Sequence, residues 1–292
     1  MLFTRPTTWT AALTHLIAKR VLPTVFSSLE LERELPASVA ERAFFSARTT
    51  LTGYLQQSQA LIARLVQPAV IAQADGTLRK AGRGESINPA KVRTLMQQHL
   101  RDLGYEPEPG KKGKLTDLSS DRRVSLIVNM QTAQARGYAR DRSVQTDAIL
   151  KTFPADRLYR ALPRRQKRDW QSRWNNARAS LGSGTQATRA TSQIGPYVAP
   201  KNDPIWPAIS RFGTPYPPFD YMSGMRKRSV SASQAKQYGI TAPPKPVRDP
   251  LEGGLSTRLR PNTGKPMLAA ILKLFPGSTV TKGILKWTGT TP

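Results

Sequence analysis

The sequence predicts a mainly α-helical chain with a small, irregular α+β part toward its C-terminus. Three observations lead there. Apolar residues recur at helical spacing between capping and stop signals over roughly the first 180 residues. Five aromatics, Trp206, Phe212, Tyr216, Phe219 and Tyr221, then crowd among prolines and glycines between Asp203 and Met225. Beyond Pro243 the chain is rich in Pro and Gly and poor in apolar residues until Met267. The 292 residues allow one large domain or two small ones, and 38% hydrophobic content with 24 prolines implies a modest core with irregular excursions.

Taken in order, a first helix is expected from Thr8 to Leu22, with Trp9, Leu13, Leu16, Ile17 and Val21 near one face and Pro23 as its stop. Ser27 to Glu34 reads as a connector or a short helical turn. Ser38-Val-Ala-Glu41 has the form of a capping box. It opens a long helix that carries Phe44, Phe45, Leu51, Leu55, Ile62 and Leu65 and ends before Pro68, with a bend near Gly53. Residues 73–88 read as a loop. Asn88, Pro89 and Gly104 punctuate the cleanest helix, whose stripe is Val92, Leu95, Met96, Leu100 and Leu103. His99 beside that stripe reads as a structural histidine. A loop follows over 104–115. A helix from Ser119 or Ser120 then sets Val124, Ile127, Val128 and Tyr138 against Asp121, Arg122, Arg123, Arg136 and Arg140. Trp170 and Trp174 lie four apart, so they share a helix face and pack, with arginines outward. Pro266 to Phe275 reads as a terminal helix ended by Pro276-Gly277, with strand character at Val280 and from Ile284 to Trp287.

The aromatic segment cannot stay solvated cheaply, and its prolines forbid a continuous helix. It is expected to be an ordered knot of Trp206, Phe212, Gly213, Tyr216, Pro217, Pro218, Phe219, Asp220 and Gly224. The rings are expected inside and the glycines at turns. Asp220 is expected to cap a turn or pair with an arginine such as Arg211.

Charge narrows the function classes. Lys and Arg number 45 against 19 Asp and Glu, a net charge of +26. Such an imbalance calls for a polyanionic partner: nucleic acid, an acidic protein surface or an acidic membrane surface. Arg164, Arg165, Lys167 and Arg168 precede the tryptophans, and Arg226, Lys227 and Arg228 follow the knot; these seven cations are expected to face DNA or an acidic partner. No sequence-reading module is present, so DNA contact would be backbone-directed. The chain has no cysteine and two histidines, His15 and His99, which leaves no disulfide, thiolate-zinc site or two-histidine helical metal motif. Asp169, Asp203 and Asp220 are the nearest approach to a catalytic carboxylate set, without a motif around them, and Gly182 to Thr185 is a weak phosphate-loop candidate. Neither an enzyme nor a cofactor or metal site is expected. No apolar run reaches the ~20 residues that span a bilayer. The N-terminal stretch lacks a signal-peptide pattern and reads as a docking helix.

The run Trp206-Pro-Ala-Ile-Ser-Arg-Phe-Gly-Thr-Pro-Tyr-Pro-Pro-Phe-Asp-Tyr-Met-Ser-Gly-Met225, followed by Val230-Ser-Ala-Ser-Gln-Ala235, resembles the minor head, or head-morphogenesis, proteins of tailed bacteriophages, the Mu F-like family. Asp117-Leu-Ser-Ser-Asp-Arg-Arg123, Gln134-Ala-Arg-Gly-Tyr138, Phe153-Pro-Ala-Asp-Arg-Leu-Tyr-Arg160 and Arg168-Asp-Trp-Gln-Ser-Arg-Trp174 extend the likeness, which covers approximately residues 92–240. The chain departs from the pattern in the link Leu181–Pro200, which is longer and Ser/Thr-rich; it reads as a mobile loop that orders on assembly.

The resemblance implies a structural virion protein at or near the portal, assembled in the host cytoplasm and multimeric in the particle. The implied partners are the portal protein, the major capsid protein or neck proteins, with viral double-stranded DNA as a further candidate. A head–tail connector ring protein and a sequence-independent nucleic-acid-binding protein stand as alternatives. The expected organisation is a helical N-terminal region over 1–72, a minor-head-like core domain over 88–240, and an extended C-terminal arm over 241–292 that orders only against other subunits.

Overall fold

The computed structural model describes residues 7–66, 70–72, 78–80, 88–163 and 168–289. Helices dominate, and the strands gather in small sheets of two or three. The chain divides into two compact units. One combines residues 1–136 with 253–292; the other is the continuous stretch 137–252.

In the first unit, α1 (Thr7–Ile17) ends earlier than expected. Arg20–Val21 (β1) leaves the helix to pair in parallel with Ala43–Phe44 (β2). The buried face of α1 and its exit is Ala12, His15, Leu16 and Lys19, whereas Ile17 is 62% exposed. Gln59 donates its side-chain amide to the Leu16 and Lys19 carbonyls, at 2.6 and 2.7 Å, and so satisfies the free end of that helix. α2 (Ser28–Glu34) is a true helix, opened by a capping box between Ser27 and Glu30.

The single long helix expected from Ser38 is instead α3 (Ala37–Glu41), strand β2 and α4 (Thr52–Val66). Ser38 does not cap; its hydroxyl meets Thr257 at 2.8 Å. The break occurs because burying Ala43 and Phe44 against β1 takes precedence over helix continuation, and Arg48 then turns in the left-handed region at φ 53°. The segment read as a loop over 73–88 contains a strand, Leu78–Lys80 (β4), antiparallel to Val70–Ala72 (β3). The rest of it, Asn88 apart, lies outside the described residues. α5 (Pro89–Asp102) matches its punctuation: the Asn88 side chain accepts from the Lys91 amide at 2.8 Å, and Gly104 takes φ 69°. Arg123 of α6 (Asp121–Ser143) turns inward rather than outward, donating to Ser46 and to the Ala47 carbonyl.

The second unit begins within α6 at Gly137. It continues through α7 (Asp147–Thr152), β5 (Ala155–Arg160), α8 (Trp170–Leu181), β6 (Val198–Pro200), α9 (Ile205–Ile209), β7 (Met225–Val230) and α10 (Ala232–Gln237). The antiparallel sheet runs β6-β5-β7. One face carries Leu158 and Met225 against Trp170, Trp174, Trp206 and Phe219. On the other face Ala155, Val198 and Val230 pack against Ala235 and Ile240.

The link expected to be mobile is tied down by α8. The Trp174 indole donates to the Thr188 carbonyl at 2.7 Å, Asn175 exchanges bonds with Ala190, and Arg178 donates to the Ala187 carbonyl at 2.8 Å. Its polar residues look solvated in sequence, but Ala187, Ala190 and Tyr197 are buried.

The extended arm is also corrected. The proline-rich stretch 243–250 is held along the second unit by Asn202, Arg142 and Tyr138, whose hydroxyl donates to Asp249 at 2.6 Å. Residues 253–289 then fold into β8 (Leu255–Arg258), α11 (Lys265–Leu274), β9 (Thr279–Thr281) and β10 (Ile284–Trp287), with the sheet order β8-β10-β9. Leu255, Met267, Ile271, Leu274, Phe275 and Leu285 share one core with Leu22, Leu31, Leu35 and Val39. The apolar residues of the tail are few, but they are gathered where the N-terminal helices need covering. Residues 1–72 and the tail are thus parts of one unit, and the region 88–240 divides after Arg136.

Candidate functional site

The aromatic knot is built around Trp206, which α9 holds at the centre of the second unit. Its indole nitrogen donates to the Pro200 carbonyl at 2.7 Å, and its ring lies 5.5 Å from Trp174 and 6.0 Å from Phe219. Trp206, Tyr216 and Phe219 are buried. Phe212 is not enclosed as expected: it is half-buried and meets Tyr221 edge-on at 5.0 Å. Gly213 and Gly224 take φ 69° and 70°, the left-handed turns for which glycine is suited. Pro217–Pro218 is a cis bond. The Pro217 backbone lies so close to α6 that a Cβ on Gly137 would meet its oxygen at 1.9 Å.

The expected cationic set separates into four groups. Arg164, Arg165 and Lys167 lie outside the described residues. Lys227 does not face a partner; it is buried beneath the knot, its ammonium 4.4 Å from the Trp206 ring centre and 2.9 Å from Asp156. The reason is the two-residue period of β7: Met225 and Lys227 point into the core while Arg226 and Arg228 point out. Lys201 approaches Asp156 at 2.5 Å and donates to Ser229 at 2.8 Å. Burial opposes ionisation of Asp156, but the Lys227 and Lys201 ammoniums outweigh it and hold the carboxyl below its usual range.

Arg168 is half-exposed and joins Arg173 and Arg211 around the buried Asp220, at 3.2, 2.9 and 3.8 Å. The pairing of Asp220 with Arg211 was legible; the two closer arginines, Arg168 just before α8 and Arg173 in its first turn, were not. Asp169 caps α8, and the Ser172 hydroxyl and amide, with Gln193, bring its carboxyl down to about 2. Asp203 accepts from Thr185, Gln186 and Ile205. Each candidate catalytic carboxylate is therefore engaged in a local turn, cap or ion pair. Among the described residues no group of three potential metal ligands occurs, and no helix is long and apolar enough to cross a membrane.

What the sequence reading missed is the outer face of the sheet. β5 alternates Asp156 and Leu158 inward with Arg157 and Tyr159 toward the face that Arg226 and Arg228 share. Register sets Arg157 opposite Arg228 and Tyr159 opposite Arg226. The Arg228 guanidinium lies over the Tyr159 ring at 5.8 Å. Alternation within Asp156-Arg-Leu-Tyr-Arg160 was the available signal. Comparison with protein-family models, with curated proteins and with solved structures returns no match.

Proposed function

We propose that this chain is a structural virion protein of a tailed phage: a minor head protein at or near the portal, acting in head assembly or in the architecture through which DNA passes. One observation carries the reading. The separate stretches that resemble the minor head family are packing partners of one another. Trp174 meets Trp206 at 5.5 Å, Tyr138 meets Tyr216 at 6.0 Å, Leu158 lies in the same core, and Gly137 admits Pro217. Residues scattered from 137 to 225 thus make one coherent fold element, as a family core would.

The engaged carboxylates support a structural rather than an enzymatic role, and the net charge of +26 supports a polyanionic neighbour inside the particle. The test is mass spectrometry of particles purified from cells carrying this coding sequence. A few copies per particle are expected. A copy number matching the symmetry of the portal ring replaces this reading with a head–tail connector. Absence from particles overturns both, leaving a free nucleic-acid-binding protein.

A further inference from the structure

The outer face of the β6-β5-β7 sheet carries charges that folding alone disfavours. Arg157 and Arg228 stand directly opposite each other on an antiparallel pair, where like charges destabilise. Arg226 lies two residues further along β7, about 7 Å away at strand spacing. Among the described residues no carboxylate pairs with any of the three. The Arg157 Nε atom is buried without a hydrogen-bond partner, a cost the fold carries without internal return. At the other end of the same face, α10 and Ile240 cover Ala155, Val198 and Val230, so the cations sit beside a dry wall.

We propose that this face, Arg157, Arg226 and Arg228 with Tyr159 beneath, binds the phosphate backbone of duplex DNA. The inference deepens the virion reading by naming what the protein faces, and rests on it for the DNA being double-stranded. Charge complementarity selects the ligand: three guanidiniums on two adjacent strands suit successive phosphates, each able to take paired N–H donors. The aromatic on this face argues against base stacking. Tyr159 already has Arg228 over its ring, so it supports an arginine and offers no free platform to an unpaired base. Contact is therefore to the backbone and indifferent to sequence. Lys227 takes no part, being inside.

The test uses the full chain and labelled duplexes of two unrelated sequences, titrated between 50 and 200 mM salt. Wild type is compared with the triple variant Arg157→Gln, Arg226→Gln, Arg228→Gln. The slope of log K against log salt should fall by roughly 3 in the variant, at about 0.9 per phosphate, equally for both duplexes. The matching triple Lys variant should keep most of the slope. If the triple Gln variant does not fold, the exposed Arg226→Gln alone should lower the slope by about 0.9.

An unchanged slope in a folded variant overturns the proposal. So does tighter binding of a poly-glutamate chain than of duplex, which would indicate an acidic protein partner, or tighter binding of single-stranded DNA. A protein present in particles that binds no duplex at low salt loses this inference and keeps the virion reading. Duplex binding by a protein absent from particles does the reverse.

Discussion

Two buried lysines share the carboxylate of Asp156, and the arrangement has consequences that a solvated cluster would not. Asp156→Ala leaves Lys201 and Lys227 buried without their counter-charge, and should cost roughly 3–5 kcal/mol in denaturant unfolding. A loss below 1 kcal/mol would mean that the lysines reach water. Because the folded carboxyl titrates below its unfolded value of about 3.9, this stabilisation is present above that value and is lost as pH falls through the lower folded one. Lys19 works in the opposite direction. Burial lowers its ammonium to about 8, against the pull of Glu41. The folded state therefore resists a proton that the unfolded chain holds up to about 10.4, and stability contributed by this group rises as pH climbs from about 8 toward 10.4. Lys19→Met should remove that rise and gain roughly 3 kcal/mol at pH 7. Unfolding curves of wild type and variant that stay parallel from pH 7 to 10 would refute the burial of this lysine.

The C-terminal elements cover the N-terminal helices, so their removal should be felt there. A stop after Glu252 would delete β8, α11, β9 and β10, and with them half of the core around Leu22, Leu31, Leu35 and Val39. The truncated chain should become protease-labile in its N-terminal helices, and Ile271→Ala in the full chain should cost about 2–5 kcal/mol. Cleavage patterns identical outside the deleted segment would restore the picture of an extended arm that orders only against other subunits. Of these elements α11, β9 and β10 were individually legible, α11 because Pro266, Pro276 and Gly277 bracket it as Asn88, Pro89 and Gly104 bracket α5; β8 was not, since Leu255 to Arg258 lies in a stretch that reads as extended arm. What could not be read was their partner. The break between α3 and α4 was hidden for the same reason: Ala43 and Phe44 suit a helix or a strand equally, and only pairing with Arg20 and Val21 decides. Lys227 is a different case. Three consecutive cations look like a surface cluster, yet Met225 and Val230 at the ends of the run mark a strand whose alternation turns the middle one inward. The knot was legible as a packed element because rings among prolines have few alternatives, although Phe212 escapes enclosure. The sheet face was not, since Arg157 and Arg228 are 71 residues apart and meet only through register.

For the whole molecule the governing quantity is the net charge of +26. Ion pairs such as those at Asp156 and Asp220 are locally strong, but they involve few of the 45 cations. The remainder repel one another over a screening length of about 30 Å at 0.01 M salt, which shortens to about 8 Å at 0.15 M. Thermal stability of the free protein should therefore increase between these salt concentrations. Duplex DNA should substitute for salt at the low end. A ligand present at a hundred times its dissociation constant adds about 2.7 kcal/mol, or about 4–5 °C in a chain of this size. The Arg157→Gln, Arg226→Gln, Arg228→Gln variant separates the two effects. Relief of the facing arginines should raise its melting temperature at low salt without ligand, while the increment from duplex DNA should shrink. A wild-type melting temperature indifferent to both salt and DNA would refute a stability governed by the excess charge. A DNA increment retained in full by the variant would move the DNA-facing surface elsewhere, to Arg168 and the cations that precede α8.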